Sequence, residues 1–210
     1  MKILLVSDFF PKGKDLKFSG GVEARTFFLA KNLAKNNQVT VICTRQPKTK
    51  PSEKMFGFKI LRVGPVISYN SGAPSALETH KRIAFTMDAI NVGKQLDIDI
   101  VDGGNFNDHF IAKRIASSKK IPAVFWYPDV FIGQWIKTSG ILGGLAGYLL
   151  EKTNLFFSAD LFIAISNVTK NKLIAAGVDK TKVITIPCGI EASEFKQKVH
   201  KSKISQIICV

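Results

Sequence analysis

"LFIAISNVTKNKLIAAGVDKTKVITI", residues 161–186, decides the fold. Its two ends, "LFIAI" (161–165) and "KVITI" (182–186), are short apolar runs rich in branched side chains, the pattern of buried strands. Between them Ser166 precedes the helical segment "NVTKNKLIAAG" and offers the hydroxyl that an N-cap needs. Strand, helix and strand in succession are the repeating unit of a parallel sheet, because parallel neighbours need a long crossover.

Working outward, the same kind of run recurs as "KILLV" (2–6), "QVTVIC" (38–43), "FKILRV" (58–63), "IDIVD" (98–102) and "PAVFWY" (122–127). Helical periodicity fills residues 22–36, 75–96 and 106–116 between them. The alternation predicts an α/β protein with a Rossmann-like, doubly wound, mostly parallel sheet and helices on both faces. Two places break it. "RQPKTKPSEKMF" (45–56) has no helical stripe, so the second and third strands are expected to form an antiparallel excursion. After "IPCGIEASEF" the chain turns basic, "KQKVHKSK" (196–203), and ends in the apolar "ISQIICV". The expected organisation is a domain over 1–191, a basic linker over 192–203, and the start of a second domain at 204–210.

With 30 Lys+Arg against 16 Asp+Glu, the net charge of +14 favours anionic partners such as nucleic acid, acidic lipid or phosphorylated ligands. The basic residues are scattered and no nucleic-acid module is recognisable, so nucleic acid is not the expected partner. Cys43, Cys188 and Cys209 have no metal-ligand spacing and read as reduced core residues, which points to the cytoplasm. No metal site is expected, since His80 and His109 lack ligand-spaced partners. The N-terminus is too short in apolar residues for a signal peptide, and "TSGILGGLAGYLL" (138–150) is too short to span a membrane. The stretch 131–157, with Trp135, Ile136, Leu142, Tyr148, Leu149, Lys137 and Lys152, is a candidate for contact with an anionic membrane surface. An ordinary helix packed on the sheet is the favoured alternative.

Ligands of open α/β sheets bind at the carboxyl ends of the strands. After the first strand comes "SDFFPKGKDLKFSGGVEAR", longer than the ordinary βα connection, with Gly20 and Gly21 opening a helix. There the helix dipole and bare N–H groups suit a phosphate, and Lys12, Lys14, Lys17 and Arg25 add positive charge. The pair matches neither the dinucleotide fingerprint nor a P-loop, and a simple loop cap explains it equally well. "DGGNFNDH" (102–109) offers Asn105, Asn107, Asp108 and His109, with Asn105 also a candidate N-cap. "WYPDVFIGQW" (126–135) sets Asp129 among aromatics, which suits a sugar ring, although Pro-Asp is also a common turn pair.

Taken in order, "MKILLVSDFFPK", "GGVEARTFFLAKNLAKNNQVTVICT", "IDIVDGGN", "PAVFWYPDVF" and above all "SADLFIAISNVTKNKLIAAGVDKTKVITIPCGIEASEF" resemble the N-terminal half of the GT-B glycosyltransferases of the group 1, family four type. The resemblance covers nearly the whole chain. It implies a hexosyltransferase that uses a nucleotide diphosphate sugar, retains configuration at the anomeric carbon and needs no cofactor or metal. It also implies two Rossmann-like domains facing a cleft, the first taking a carbohydrate or lipid-linked acceptor and the second gripping the donor. By that likeness Gly20 and Gly21 lie against the donor's diphosphate or sugar, Asn105, Asp129 and Ser166 line the acceptor side, and Asp129 is the candidate catalytic residue. Two departures stand out: Pro128 where many members carry His, and Pro187-Cys188-Gly189 where the hinge usually reads Pro-Asn-Gly. Since the basic pair and acids that handle the diphosphate belong to the second domain, this chain alone is expected to be inactive. The alternatives are a sugar-nucleotide epimerase of similar build and a non-catalytic basic module that binds nucleic acid.

Overall fold

Strand β1 (Lys2–Val6) is buried beyond its first residue and sits inside an eight-stranded sheet in the order β3-β4-β2-β1-β5-β6-β7-β8. The computed structural model describes residues 1–13, 16–68, 76–156 and 159–189. In chain order the remaining elements are α1 (Gly21–Leu33), β2 (Gln38–Arg45), β3 (Ser52–Met55), β4 (Phe58–Val66), α2 (Ala76–Gln95), β5 (Ile100–Gly103) and α3 (Phe106–Lys119). They continue with β6 (Ala123–Tyr127), α4 (Trp135–Phe156), β7 (Leu161–Ala164), α5 (Asn167–Ala175) and β8 (Val183–Thr185). Every pairing is parallel except β3 with β4, so the α/β, Rossmann-like, mostly parallel sheet expected from the sequence is the observed fold.

The period of two along each strand divides the core. Ile3 and Leu5 of β1 face α1, joining Val39, Val41, Phe58 and Ile60 beneath Phe27 and Ala30. Leu4 and Val6 face the other way, into a larger layer built on Phe85 and Ala89 of α2, Ile111 and Ile115 of α3, Leu155 of α4 and Leu173 of α5. Each such large side chain removed from water stabilises the fold by about 1.5–3 kcal/mol.

The excursion at 45–56 takes a different form from the expected one. The second and third apolar runs are β2 and β4, and they pair in parallel. The antiparallel strand is the short β3, "SEKM", at the sheet edge. Its side chains alternate between exposed and half-buried, and backbone bonds to β4 hold it, so no apolar run marks it in the sequence. The chain turns at Phe56 and Gly57, both with positive φ, and Arg62 of β4 anchors the excursion. Its side chain is fully buried, pairs with Glu53 at 2.9 Å, and donates to the carbonyls of Phe10 and Pro11 and to Gln46 Oε1. One guanidinium thus ties β3 and the start of the β1–α1 loop to the sheet.

The cysteines divide. Cys43 is buried, and burial pushes its thiol up to about 12. Cys188 is exposed, which corrects its reading as a core residue: it follows β8 in a segment that joins no element. Cys209, the expected linker 192–203 and the segment 204–210 lie outside the described residues.

Candidate functional site

The strand order reverses at β1: the chain runs outward through β2 to the edge strand β3, turns back into β4 between them, then crosses to β5 on the other side of β1. The carboxyl ends of β1 and β5 therefore bound the crevice where such sheets take ligands. Helix α1 begins there. Gly20 is its N-cap in extended backbone (φ −164°), with no side chain capping the helix. A Cβ added at Gly21 would meet nothing within 4 Å, so the first turn opens onto free space. Glu23, buried one turn in, accepts from Ser19 N at 2.5 Å and fixes the approach of the loop.

From Gly21 the rim follows the strand order. Asn105 follows β5, Asp129 follows β6 and Ser166 follows β7, each on the next strand out from β1. At about 4.8 Å between neighbouring strands, the rim spans about 15 Å.

Asn105 occupies the N-cap position of α3 in extended backbone, yet its side chain makes no capping bond. The side chain is half-buried. Ser166 is a cap, accepting from Thr169 N at 3.1 Å, and Thr169 Oγ1 donates to the carbonyl of Pro128 at 3.2 Å. Asp129 Oδ1 accepts from Val130 N at 2.8 Å and from Lys172 Nζ at 2.7 Å. Both bonds fall on Oδ1. Helix α5 thus anchors the loop after β6 twice, through Thr169 and through Lys172.

Arg25 does not serve as a free cation at the glycines. Its guanidinium forks onto Asp102 of β5 (2.6 and 3.1 Å) and lies 4.9 Å from the Trp126 ring centroid. About nine-tenths of both side chains is buried, so the pair stitches α1 to β5 and β6 under the crevice floor. Lys12 and Lys17 are exposed, and Lys14 lies outside the described residues.

A second network joins the β1–α1 loop to α2 and α3. Asp8 accepts from Arg82 and from Asn107 Nδ2, each at 3.1 Å, and Thr86 Oγ1 donates to Asn107 Oδ1 at 3.1 Å. Asp108 is fully buried, and burial first, then the Asp8 charge, hold its carboxyl well above the usual carboxylate range. His109, also fully buried, donates from Nε2 to the carbonyl of Trp126 at 2.9 Å and stacks on Phe125 and Tyr127 with centroids 4.6 and 4.5 Å away. Burial and the charge of Arg25 depress its pKa to about 3, so the ring is neutral and structural. Among the described residues no group of three His, Cys, Asp or Glu could hold a metal ion.

Glu151 of α4 went unread in the sequence. It is buried, accepts from Phe131 N at 3.0 Å and from Trp135 Nε1 at 2.6 Å, and burial raises its pKa. It fixes the far end of the loop that carries Asp129. The available signal was its isolation, since it is the sole acid between Val130 and Ala159.

The sequence matches the profile of Glycosyltransferase Family 4 over residues 19–194. No curated protein matches it. Among solved structures it is similar to sucrose-phosphate synthase from Thermosynechococcus elongatus, with TM-score 0.69 and 15% identity over 92% of this chain and 49% of that one. It is also similar to Anabaena HepE in complex with UDP and glucose (TM-score 0.58, 15% identity, 94% and 47%). A third likeness is to Arabidopsis thaliana UGT89C1 with UDP-L-rhamnose (TM-score 0.54, 13% identity, 97% and 52%). At these identities the likeness is one of fold. The chain spans about half the length of each of these structures.

Proposed function

Since the chain belongs to Glycosyltransferase Family 4 and folds as one Rossmann-like half of a GT-B glycosyltransferase, we propose that it is the acceptor-side wall of a retaining hexosyltransferase. The donor is a nucleotide diphosphate sugar, and the acceptor is a carbohydrate or lipid-linked hydroxyl. The observation that carries this reading is the uncapped start of α1 at the switch point, where Gly21 opens onto free space. Backbone N–H groups and the positive end of the helix dipole suit a diphosphate or the sugar beside it.

A retaining transfer needs the leaving diphosphate stabilised and the acceptor hydroxyl held in line, and a leaving-phosphate oxygen can take the acceptor's proton. This half therefore needs positioning groups more than a strong base. Asp129 Oδ2 receives the acceptor hydroxyl while Lys172 and Val130 N hold Oδ1. Asn105 contributes an uncommitted amide next to it. Ser166 acts chiefly by ordering α5 and, through Thr169, the Pro128 carbonyl. The enzyme works without a metal or other cofactor, and a second Rossmann-like domain grips the nucleotide, so residues 1–210 alone do not turn over. Cytoplasmic placement fits a sugar-nucleotide donor.

The test is transfer by the intact protein from a panel of nucleotide diphosphate sugars, with the product's anomeric configuration read by NMR. Retention is expected. An inverted product would overturn the mechanism, and transfer by residues 1–210 alone would overturn the division of labour between the halves.

A further inference from the structure

α4 packs one side into the core through Leu155 and presents an apolar face to solvent on the other. The element is two helices folded against each other. Gly140 interrupts it with φ 69° and ψ −178°, a backbone that favours glycine. Gly144 and Gly147 let the first piece lie on the second, for a Cβ at Gly144 would stand 2.5 Å from the Ile136 backbone and one at Gly147 would stand 2.4 Å from the Trp135 ring. Gly144, Glu151, Asn154 and Leu155 turn inward. At 100° per residue, Ile141, Leu142, Leu145, Tyr148 and Leu149 fall within an arc of about 120° on the outward side. All five are exposed, Leu142 by 86% and Ile141 by 76%, and Ile136 on the first piece joins them at 60%. A contiguous apolar patch of this kind marks an interaction site.

Charge selects the occupant. From Val130 to Ala159 the basic residues are Lys137 and Lys152, both exposed, and the sole acid, Glu151, is buried. Lys152 continues the outward arc one turn beyond Leu149. An apolar stripe bordered by exposed lysines, on a chain with net charge +14, is matched by an acidic lipid surface and opposed by a second copy of itself. Among the described residues no helix is long and apolar enough to cross a membrane, so the face would lie on a bilayer. We propose that the Ile141–Leu149 face of α4 docks the protein on an anionic membrane, with Lys137 and Lys152 meeting the headgroups. The inference rests on α4 alone and stands whether or not the chain transfers sugars.

The experiment is flotation of the intact protein with phosphatidylcholine vesicles, with and without phosphatidylglycerol, at low and high salt. Binding that requires phosphatidylglycerol and weakens with salt is expected. The Leu142→Gln/Leu149→Gln variant should lose about tenfold or more in vesicle affinity with its unfolding midpoint unchanged. Lys137→Ala/Lys152→Ala should weaken binding severalfold and flatten its salt dependence. The proposal is overturned by absence of vesicle binding, or by binding that the leucine variant leaves intact. A lowered midpoint in that variant would overturn it too, because the face would then be covered within the protein. So would a stable dimer that the variant splits.

Discussion

Arg25→Ala is expected to destabilise the chain by about 3–5 kcal/mol in urea unfolding, the cost of leaving one member of a buried ion pair without its partner. Asp102 would keep a carboxylate that is about nine-tenths buried, and the fork that now satisfies both oxygens would be gone. The face of Trp126 would lose its cation as well. Arg25→Lys preserves the charge but neither the fork nor the planar stacking, so an intermediate loss is expected. Replacing the pair together, as Arg25→Met/Asp102→Leu, should recover most of the alanine loss, because no uncompensated charge stays behind. A loss below about 1 kcal/mol for Arg25→Ala would mean that the pair behaves as a solvated surface bridge. The consequence reaches the site: α1 would no longer be fixed over β5 and β6, and the position of Gly21 relative to Asn105 would loosen.

Protonation of His109 is expected to weaken the fold in acid. In the unfolded chain the imidazole takes up a proton near pH 6.5, whereas the folded ring resists until about 3. The unfolded state therefore binds more protons between those values. The stabilisation is present in full above 6.5 and is lost as pH falls toward 3, by at most about 1.4 kcal/mol per pH unit. Asp108, its neighbour, has the opposite sign. Its folded carboxyl keeps a proton that the unfolded chain releases near 3.8, so its contribution favours the fold in acid and fades as pH rises. Burial gives Glu151 the same sign as Asp108. Single substitutions separate the two neighbours. His109→Gln keeps a donor for the Trp126 carbonyl and should flatten the dependence of stability on pH between 6.5 and 4. Asp108→Asn should raise stability at neutral pH relative to acid. An unchanged acid limb in His109→Gln would show that other groups govern the transition.

The sheet was legible because each parallel strand carries its own apolar run, and the helices because their stripes are local. Ser166 as an N-cap was legible for the same reason, since its partner is three residues away. β3 was not, because an edge strand made of Ser, Glu, Lys and Met is held by backbone bonds that leave no apolar signature. The ion pairs were not legible either: Arg25 and Asp102 stand 77 residues apart, and Arg82 and Asp8 stand 74 apart. Nothing local distinguishes an arginine that will be buried from one that binds anions, so the sequence groups Arg25 with the lysines near the glycines. An aspartate at the end of "IDIVD" was the available hint, since a charge on a buried strand requires a partner. At the rim the positions were readable but the commitments were not. Asn105 stands at its cap position without capping, and Asp129 is half taken by Lys172.

The central claim is that a donor diphosphate or its sugar rests on the first turn of α1, and Gly21→Leu tests it most directly. A Cβ at Gly21 meets nothing within 4 Å, and α1 begins there, so the fold should tolerate the change or gain from lost glycine freedom. Calorimetric titration of the intact protein with its nucleotide diphosphate sugar, beside a melting curve, reads both effects. An unchanged or slightly raised melting temperature with donor affinity reduced about tenfold or more, at least 1.4 kcal/mol, is the predicted result. Donor affinity equal to that of the unsubstituted protein would contradict the account.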